Sequence, residues 1–321
     1  MPNWVFNTLQ NYTEEMHKKY KGDGRELDFN KLIPMPEELK NTIAGSTATT
    51  AKHIAQYREY MEQMQDKDDK ELLNRTIKYD RDNPIQKDVR NLADNAINRV
   101  GELCIENPDK SLNALLKDEK HNSVKYIHDK YVKVFGNQSY SNCTEFVKAY
   151  ENYIAMKDEE FQQEKESEWS REATKDFSSI EEYGRHVIYL GQKYGFEDWY
   201  SFSNANWGSK WNACRSEYDP EEETLRFDTA WSIPYPVIAK IAEENPEVKL
   251  YGYAEEETGW FEEYETDKDK VKITKRGEYV WGDGENETEE KVVTLDPPEE
   301  FTYQEVKEET IKLFSKLLKE D

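Results

Sequence analysis

The spacing of apolar residues changes twice along this chain, and that change limits the folds open to it more than any other feature. Between about residues 37 and 200, stretches such as TAKHIAQYREYMEQMQ, DVRNLADNAINRVGELCIEN, SVKYIHDKYVKVFG and CTEFVKAYENYIAMKDEEFQQ place apolar side chains three and four apart, as an amphipathic helix requires. Leu92, Ala96, Val100 and Leu103 show the pattern. On both sides of this region the period falls to two. NWVFNTLQNY is rich in aromatic and β-branched types, and TLRFDTAW alternates Leu225, Phe227, Thr229 and Trp231 with Arg226, Asp228 and Ala230. The second pattern marks a strand with one buried face. A chain of this kind is a sheet protein interrupted by helices.

The breaks between helices fall at Asn83-Pro84, Asn107-Pro108 and Gly136-Asn137. EEFQQEKESEWSREATKD, poor in apolar residues, reads either as a solvent-facing helix or as a connector. ELDFNKLIPMP, with Leu27 and Phe29 alternating with polar neighbours before two prolines, predicts a strand over 26–33. Val237, Ile238, Ile241 and Ala242 form a helical stripe, and VKLYGYAEEETGWFEEYE and DKVKITKRGEYVWGDG predict further strands. Thr302 and Glu305 fit a capping box, with Ile311, Phe314, Leu317 and Leu318 on the buried side of a last helix. The order is β-α-β-β-α-β, the ferredoxin-like split unit. The expected fold class is α+β: a ferredoxin-like split β-α-β antiparallel sheet with a large all-helical insertion and a C-terminal helix. The expected domains are residues 1–36 plus 190–321 for the sheet and 37–189 for the insertion.

Charge narrows the partners. The formal charge is -24, and residues 216–321 hold 31 Asp plus Glu against 13 Lys plus Arg, so -18 of it lies in the last third. Such a surface repels phosphate backbones and favours a basic protein partner; direct nucleic-acid binding is not expected. The residues expected to form the binding surface are Glu255, Glu256, Glu257, Glu262, Glu263 and Glu265. No apolar run approaches the length of a membrane span, and MPNWVFNTLQ lacks a signal-peptide pattern, so the expected setting is the cytoplasm with no membrane partner. Cys104, Cys143 and Cys214 are odd in number and far apart, which argues against a disulfide framework or a cysteine metal site.

No residue set specifies a reaction, and neither a cofactor nor a metal is expected. The five histidines form no HExxH motif, and Ser46, Thr47, Thr49 and Thr50 in IAGSTATTAKH lack the P-loop spacing and read as a loop ending in a helix cap. Asp228 with Glu255, Glu256 and Glu257 lacks the constrained loop of a calcium site. Trp199, Trp207, Trp211 and Trp231 are expected to pack the sheet against helices, with Asn206 and Asn212 satisfying backbone groups near Gly208 and Asp228 bonding to the NWGSKWN segment. The alternative is a platform that stacks a base or ligand, although Lys210 is a lone cation beside it. Cys214 is expected to be an inert packing residue.

Three segments carry a resemblance. MPNWVFN, LDFNKLIPMPEEL and the pair NWGSKWN with FDTAWSIPYPVI resemble the YubB ferredoxin-like domain family of phage and conjugative-plasmid proteins, over about residues 1–40 and 190–265. Ile233 stands where that family commonly has a first proline. The resemblance implies an accessory role on a mobile genetic element, in a setting where inhibitors of host defence are common. The expected function is therefore non-catalytic protein–protein binding through an acidic surface, directed at a host or defence protein with a basic surface. The alternatives are a nucleic-acid or nucleotide-binding module using an aromatic sheet face and, behind it, a metal-dependent hydrolase or nucleotidyl-transfer enzyme.

Overall fold

The computed structural model describes residues 3–64, 84–136, 143–168, 170–281 and 288–309. Two compact units divide the chain, one of Met1–Lys40 with Asp198–Asp321 and one of Asn41–Glu197.

In the first unit, β1 (Trp4–Gln10) leads into α1 (Glu14–Tyr20), capped by the Thr13 side chain on the Met16 amide. Two short helices follow, α2 (Phe29–Leu32) and α3 (Glu37–Lys40). The chain then leaves for the helical unit.

Within that unit α4 (Ser46–Met64) and α5 (Pro84–Glu106) are followed by α6 (Leu112–Leu115), a 3-10 turn at Glu119–His121, α7 (Asn122–Phe135), α8 (Cys143–Lys165), α9 (Arg171–Thr174) and α10 (Ile180–Tyr194). Pro84 opens α5, where its missing N–H costs nothing. One core gathers Ile54, Tyr57, Ile85, Val89, Val134, Phe161, Tyr183 and Val187, and a smaller one gathers Leu103, Leu115 and Leu116. Of the quoted stripe, Ala96 and Leu103 are buried and Leu92 packs against the larger core. The polar stretch after residue 160 continues α8 to Lys165 and still buries Phe161.

Back in the first unit, α11 (Trp199–Trp207) starts on an Asp198–Ser201 capping box. Next come β2 (Cys214–Asp219), β3 (Thr224–Ala230), α12 (Tyr235–Glu244), β4 (Tyr251–Glu256), β5 (Trp260–Asp267), β6 (Lys270–Trp281) and β7 (Thr288–Thr302). The sheet order is β2-β3-β1-β4-β5-β6-β7, with every neighbouring pair antiparallel. The first four positions are the ferredoxin-like split unit, and β5–β7 extend it as a meander. The fold class is α+β, as the sequence predicts.

The second strand, however, is not at 26–33. That segment forms α2, because the Asp28 side chain accepts from the Asn30 amide and the Phe29 amide donates to Asn212 Oδ1. Phe29 and Leu32, three apart, both go inside. The second strand lies beyond the helical unit, at Cys214–Asp219, where CRSEYD lacks an apolar alternation because it is an edge strand. At the chain's end Thr302 and Glu305 form the expected capping box, Thr302 N–H to Glu305 Oε2 at 2.8 Å and Glu305 N–H to Thr302 Oγ1 at 3.3 Å. Ile311, Phe314, Leu317 and Leu318 lie outside the described residues.

One face of the sheet is sealed by helices. Val5, Asn7 and Leu9 point to it, in register with Thr229, Phe227 and Leu225 on β3 and with Glu256, Ala254 and Gly252 on β4. Val237, Ile238, Ile241 and Ala242 of α12 are buried as their stripe requires; full burial of an aliphatic side chain contributes about 1.5–3 kcal/mol. Asn7 is a polar residue in this layer. Its Nδ2 donates to Val5 O, Phe227 O and Thr229 Oγ1 at 2.9, 3.3 and 2.9 Å, which offsets part of the cost of its burial, while its Oδ1 is buried with no partner among the described residues.

Candidate functional site

The two tryptophan motifs meet at the end of β3. Gly208, with φ +70°, ends α11, and a Cβ there would come within 2.7 Å of Pro236 Cδ, so NWGSKWN lies directly on the SIPYP turn. The Ser232 hydroxyl donates to Gly208 O and the Ser209 hydroxyl to Ala230 O. Asn206 satisfies Phe202 O of its own helix, while Asn212 ties the start of α2 by accepting from Phe29 N–H and donating to Asp28 Oδ1 at 2.6 Å.

The four tryptophans do not share one role. Trp207 is a core residue, its Nε1–H on Ile33 O at 2.9 Å and its ring edge-on to Phe29 and Phe202. Trp199 and Trp211 are half-buried, and Trp231, with φ +74°, is 54% exposed. The expectation of a continuous packed ribbon therefore fails at Trp231: the chain turns out of β3 in the left-handed region there, and the ring leaves the core. Asp228 does not bond to NWGSKWN either. Its partner is Arg215, at 2.5 Å.

The opposite face of the sheet carries the arrangement that sequence reasoning missed. In β1 the alternation that buries Val5 and Leu9 puts Trp4, Phe6, Thr8 and Gln10 on this side. Their neighbours in register include Asp228 and Arg226 on β3 and Glu255, Tyr253 and Tyr251 on β4, followed by Phe261, Glu263 and Glu265 on β5. Phe6 is 43% and Tyr251 44% exposed. WVFNTLQ held the signal, since both of its faces bear large apolar groups and a strand covered on one side needs only one.

Three aromatic rings on this side carry a cation and a carboxylate together. Arg215 stands over Trp4, 4.6 Å from the ring centroid, and pairs with Asp228. Lys275 stands over Phe261 at 5.0 Å and pairs with Glu263 at 3.3 Å. Lys249 stands over Tyr251 at 5.3 Å and pairs with Glu265 at 2.8 Å. Each combines the ring's attraction for a cation with an ion pair. A groove of about 290 Å³ adjoins them, lined by Thr8, Gln10, Tyr251, Tyr253, Glu263 and Glu265 among others.

The six glutamates of the expected binding surface fall on both sides of the sheet. Glu255, Glu263 and Glu265 are on the open face. Glu262 is on the helix side, between the Tyr235 hydroxyl and Arg276 Nε, the latter at 2.7 Å. Glu256 is 3% exposed and accepts from the amide and hydroxyl of Thr258; burial raises its pKa, but these bonds and one to Asn3 outweigh it and hold the carboxyl below its usual range. Glu257 caps the strand end by accepting from Trp4 N–H at 3.0 Å. Glu255 is fixed by a hydroxyl chain: Tyr253 O–H donates to its Oε2 at 2.9 Å, and Tyr279 O–H lies 2.9 Å from the Tyr253 oxygen. Burial pushes the Asp228 carboxyl up; Arg215 opposes this and Glu257 adds to it.

Other candidates gather no site. Among the described residues no group of three or more His, Cys, Asp or Glu is placed to hold a metal ion. His121 ends the 3-10 turn and His128 lies inside α7. Ser46, Thr47 and Thr49 lie within α4 itself; Thr47 bonds to Glu164 and Thr49 to Gly45 O. Burial pushes the Cys214 thiol up, away from the reactive thiolate. Among the described residues no helix is long and apolar enough to cross a membrane.

Residues 206–314 match a family model described as "Ferredoxin-like domain in Api92-like protein". The match runs from the end of α11 to beyond the end of β7, so β1 and α1, which complete the split unit in space, lie outside it. It supports a ferredoxin-like family for this part of the chain. No curated protein and no solved structure matches the chain.

Proposed function

We propose that this chain is a non-catalytic binding protein whose sheet-bearing unit takes a basic protein surface on its open face. The observation that carries the reading is the exposure of Phe6 and Tyr251 beside Glu255, which has no cation partner among the described residues, whereas Asp228, Glu263 and Glu265 already pair with Arg215, Lys275 and Lys249. The -18 charge of residues 216–321 would steer a basic partner toward it. The resemblance of MPNWVFN, NWGSKWN and FDTAWSIPYPVI to the YubB ferredoxin-like family supports an accessory role in a phage or other mobile element, with a component of host defence as the target. In that setting the protein works in the cytoplasm.

A second reading is favoured by the same exposed rings: a module that stacks nucleic-acid bases on the sheet. Glu255 and the -18 charge of residues 216–321 oppose it, because net negative charge repels phosphate. Titrating the protein at low salt with an arginine-rich peptide and with single-stranded RNA, followed by tryptophan fluorescence, separates the two. Peptide binding that weakens with salt and no response to RNA are expected; the reverse result removes the first reading. In a defence-carrying host, charge reversal at Glu255, Glu263 and Glu265 is expected to abolish protection of an infecting phage, and unchanged protection would contradict the proposed role.

A further inference from the structure

We propose that Phe6, set between Asp228 and Glu255, is the seat of an arginine side chain supplied by the partner. This rests on the binding role above and assigns that role its central contact. Phe6 faces Asp228 on β3 and Glu255 on β4 in register, so both carboxylates flank its ring on the open side; directly opposed residues have Cβ atoms about 4.5–5.5 Å apart. The ring is 43% exposed.

Three rings of this face give a precedent, although Tyr253 beside them has no cation over its ring among the described residues. Trp4, Phe261 and Tyr251 are each covered by one of the chain's own cations, and each of those cations is held by a carboxylate. Phe6 has the carboxylates but, among the described residues, no cation over its ring. Arg226 lies one row along, opposite Thr8 and Glu217. The seat is also built in advance. Tyr279 and Tyr253 hold Glu255 through their hydroxyls, and Asp228 already accepts one guanidinium, that of Arg215.

Arginine fits better than lysine. A guanidinium lies flat on an aromatic ring while its edge donates to carboxylates, whereas an ammonium is a compact, strongly hydrated point charge. Tyr251 and the groove of about 290 Å³ beside it give the rest of a basic segment room along β1 and β4.

The test uses the full chain and three peptides of equal length, glycine alternating with arginine, lysine or citrulline. Wild type is expected to prefer arginine to lysine and to bind citrulline least. Phe6→Leu and Glu255→Gln should each weaken the arginine peptide by about three- to tenfold, the scale of one exposed cation–aromatic or charge-assisted contact. Phe6→Trp should bind at least as tightly as wild type, a result that a damaged fold would not give. Lys240→Ala, on the helix side, should change nothing. If wild type binds the arginine peptide and both Phe6→Leu and Glu255→Gln bind it equally well, the seat is overturned while the binding role stands. If wild type binds no basic peptide, both fall. If Phe6→Leu instead loses affinity for single-stranded RNA, the ring serves bases and the arginine assignment is wrong.

Discussion

Arg215 lies over the indole of Trp4, its guanidinium carbon 4.6 Å from the ring centroid, and it reaches this position from an irregular strand. The β2–β3 register shifts between Cys214 and Glu217, and Arg215 has φ +44°. A bulge of this kind re-aims a side chain. Here it brings the arginine onto Trp4 and Asp228.

The Asp228 carboxyl is raised by burial and by Glu257, with Arg215 pulling the other way. A carboxyl whose folded pKa lies above its unfolded one favours folding when protonated, and that contribution is lost as pH rises through the folded pKa. Arg215→Ala removes the opposing influence. Asp228 should then titrate at higher pH, by carboxyl carbon NMR, and stability at neutral pH should fall by no more than about 1 kcal/mol for so exposed an arginine.

Glu256 shows the opposite sign. Its folded pKa is lowered, so its stabilisation is present above the unfolded pKa and is lost as pH falls through the folded value. Glu256→Gln should cost about 1–3 kcal/mol near neutral pH, the scale of hydrogen bonds to a buried charge. In urea unfolding at a series of pH values, the gap from wild type should narrow below the usual glutamate range.

Two glycines hold close approaches. A Cβ at Gly208 would come within 2.7 Å of Pro236 Cδ, at φ +70°, and one at Gly252 within 1.9 Å of the Tyr264 ring opposite it in register. Gly208→Ala is expected to cost about 1–3 kcal/mol from backbone strain alone. Gly252→Ala should displace the Tyr264 ring, since protein interiors have no slack for such an overlap. Denaturant midpoints and near-ultraviolet circular dichroism check both.

Two ion pairs between β5 and β6 should differ in worth. Glu262 is 12% exposed and Glu263 45%. Arg276→Ala leaves a nearly buried carboxylate short of a partner and should cost about 1–3 kcal/mol, whereas Lys275→Ala should cost less than about 1 kcal/mol. Thermal unfolding of the two variants gives the comparison, and equal losses would contradict it.

Much of this fold was legible where periodicity is strong. TLRFDTA, up to but not including Trp231, and the α12 stripe formed as the spacing of their apolar residues requires, and Thr302 with Glu305 capped as their types allow. Leu27 and Phe29 misled because an Asx-capped turn imitates a period of two over a few residues, and CRSEYD hid because an edge strand buries little. At the site, the charged residues of 255–265 were visible but their faces were not. Face depends on register, and register placed Glu256 and Glu262 with the helices. Phe6 escaped notice because one exposed aromatic ring in a strand gains meaning only from its cross-strand neighbours.

Photo-cross-linking with an arginine-rich peptide that carries a benzophenone tests the open face most directly. Adducts should map to Phe6, Thr8, Tyr251 and their neighbours on β1 and β4, and should fade as salt is added. Adducts confined to α12, or to residues 41–197, would contradict the assignment of binding to this face.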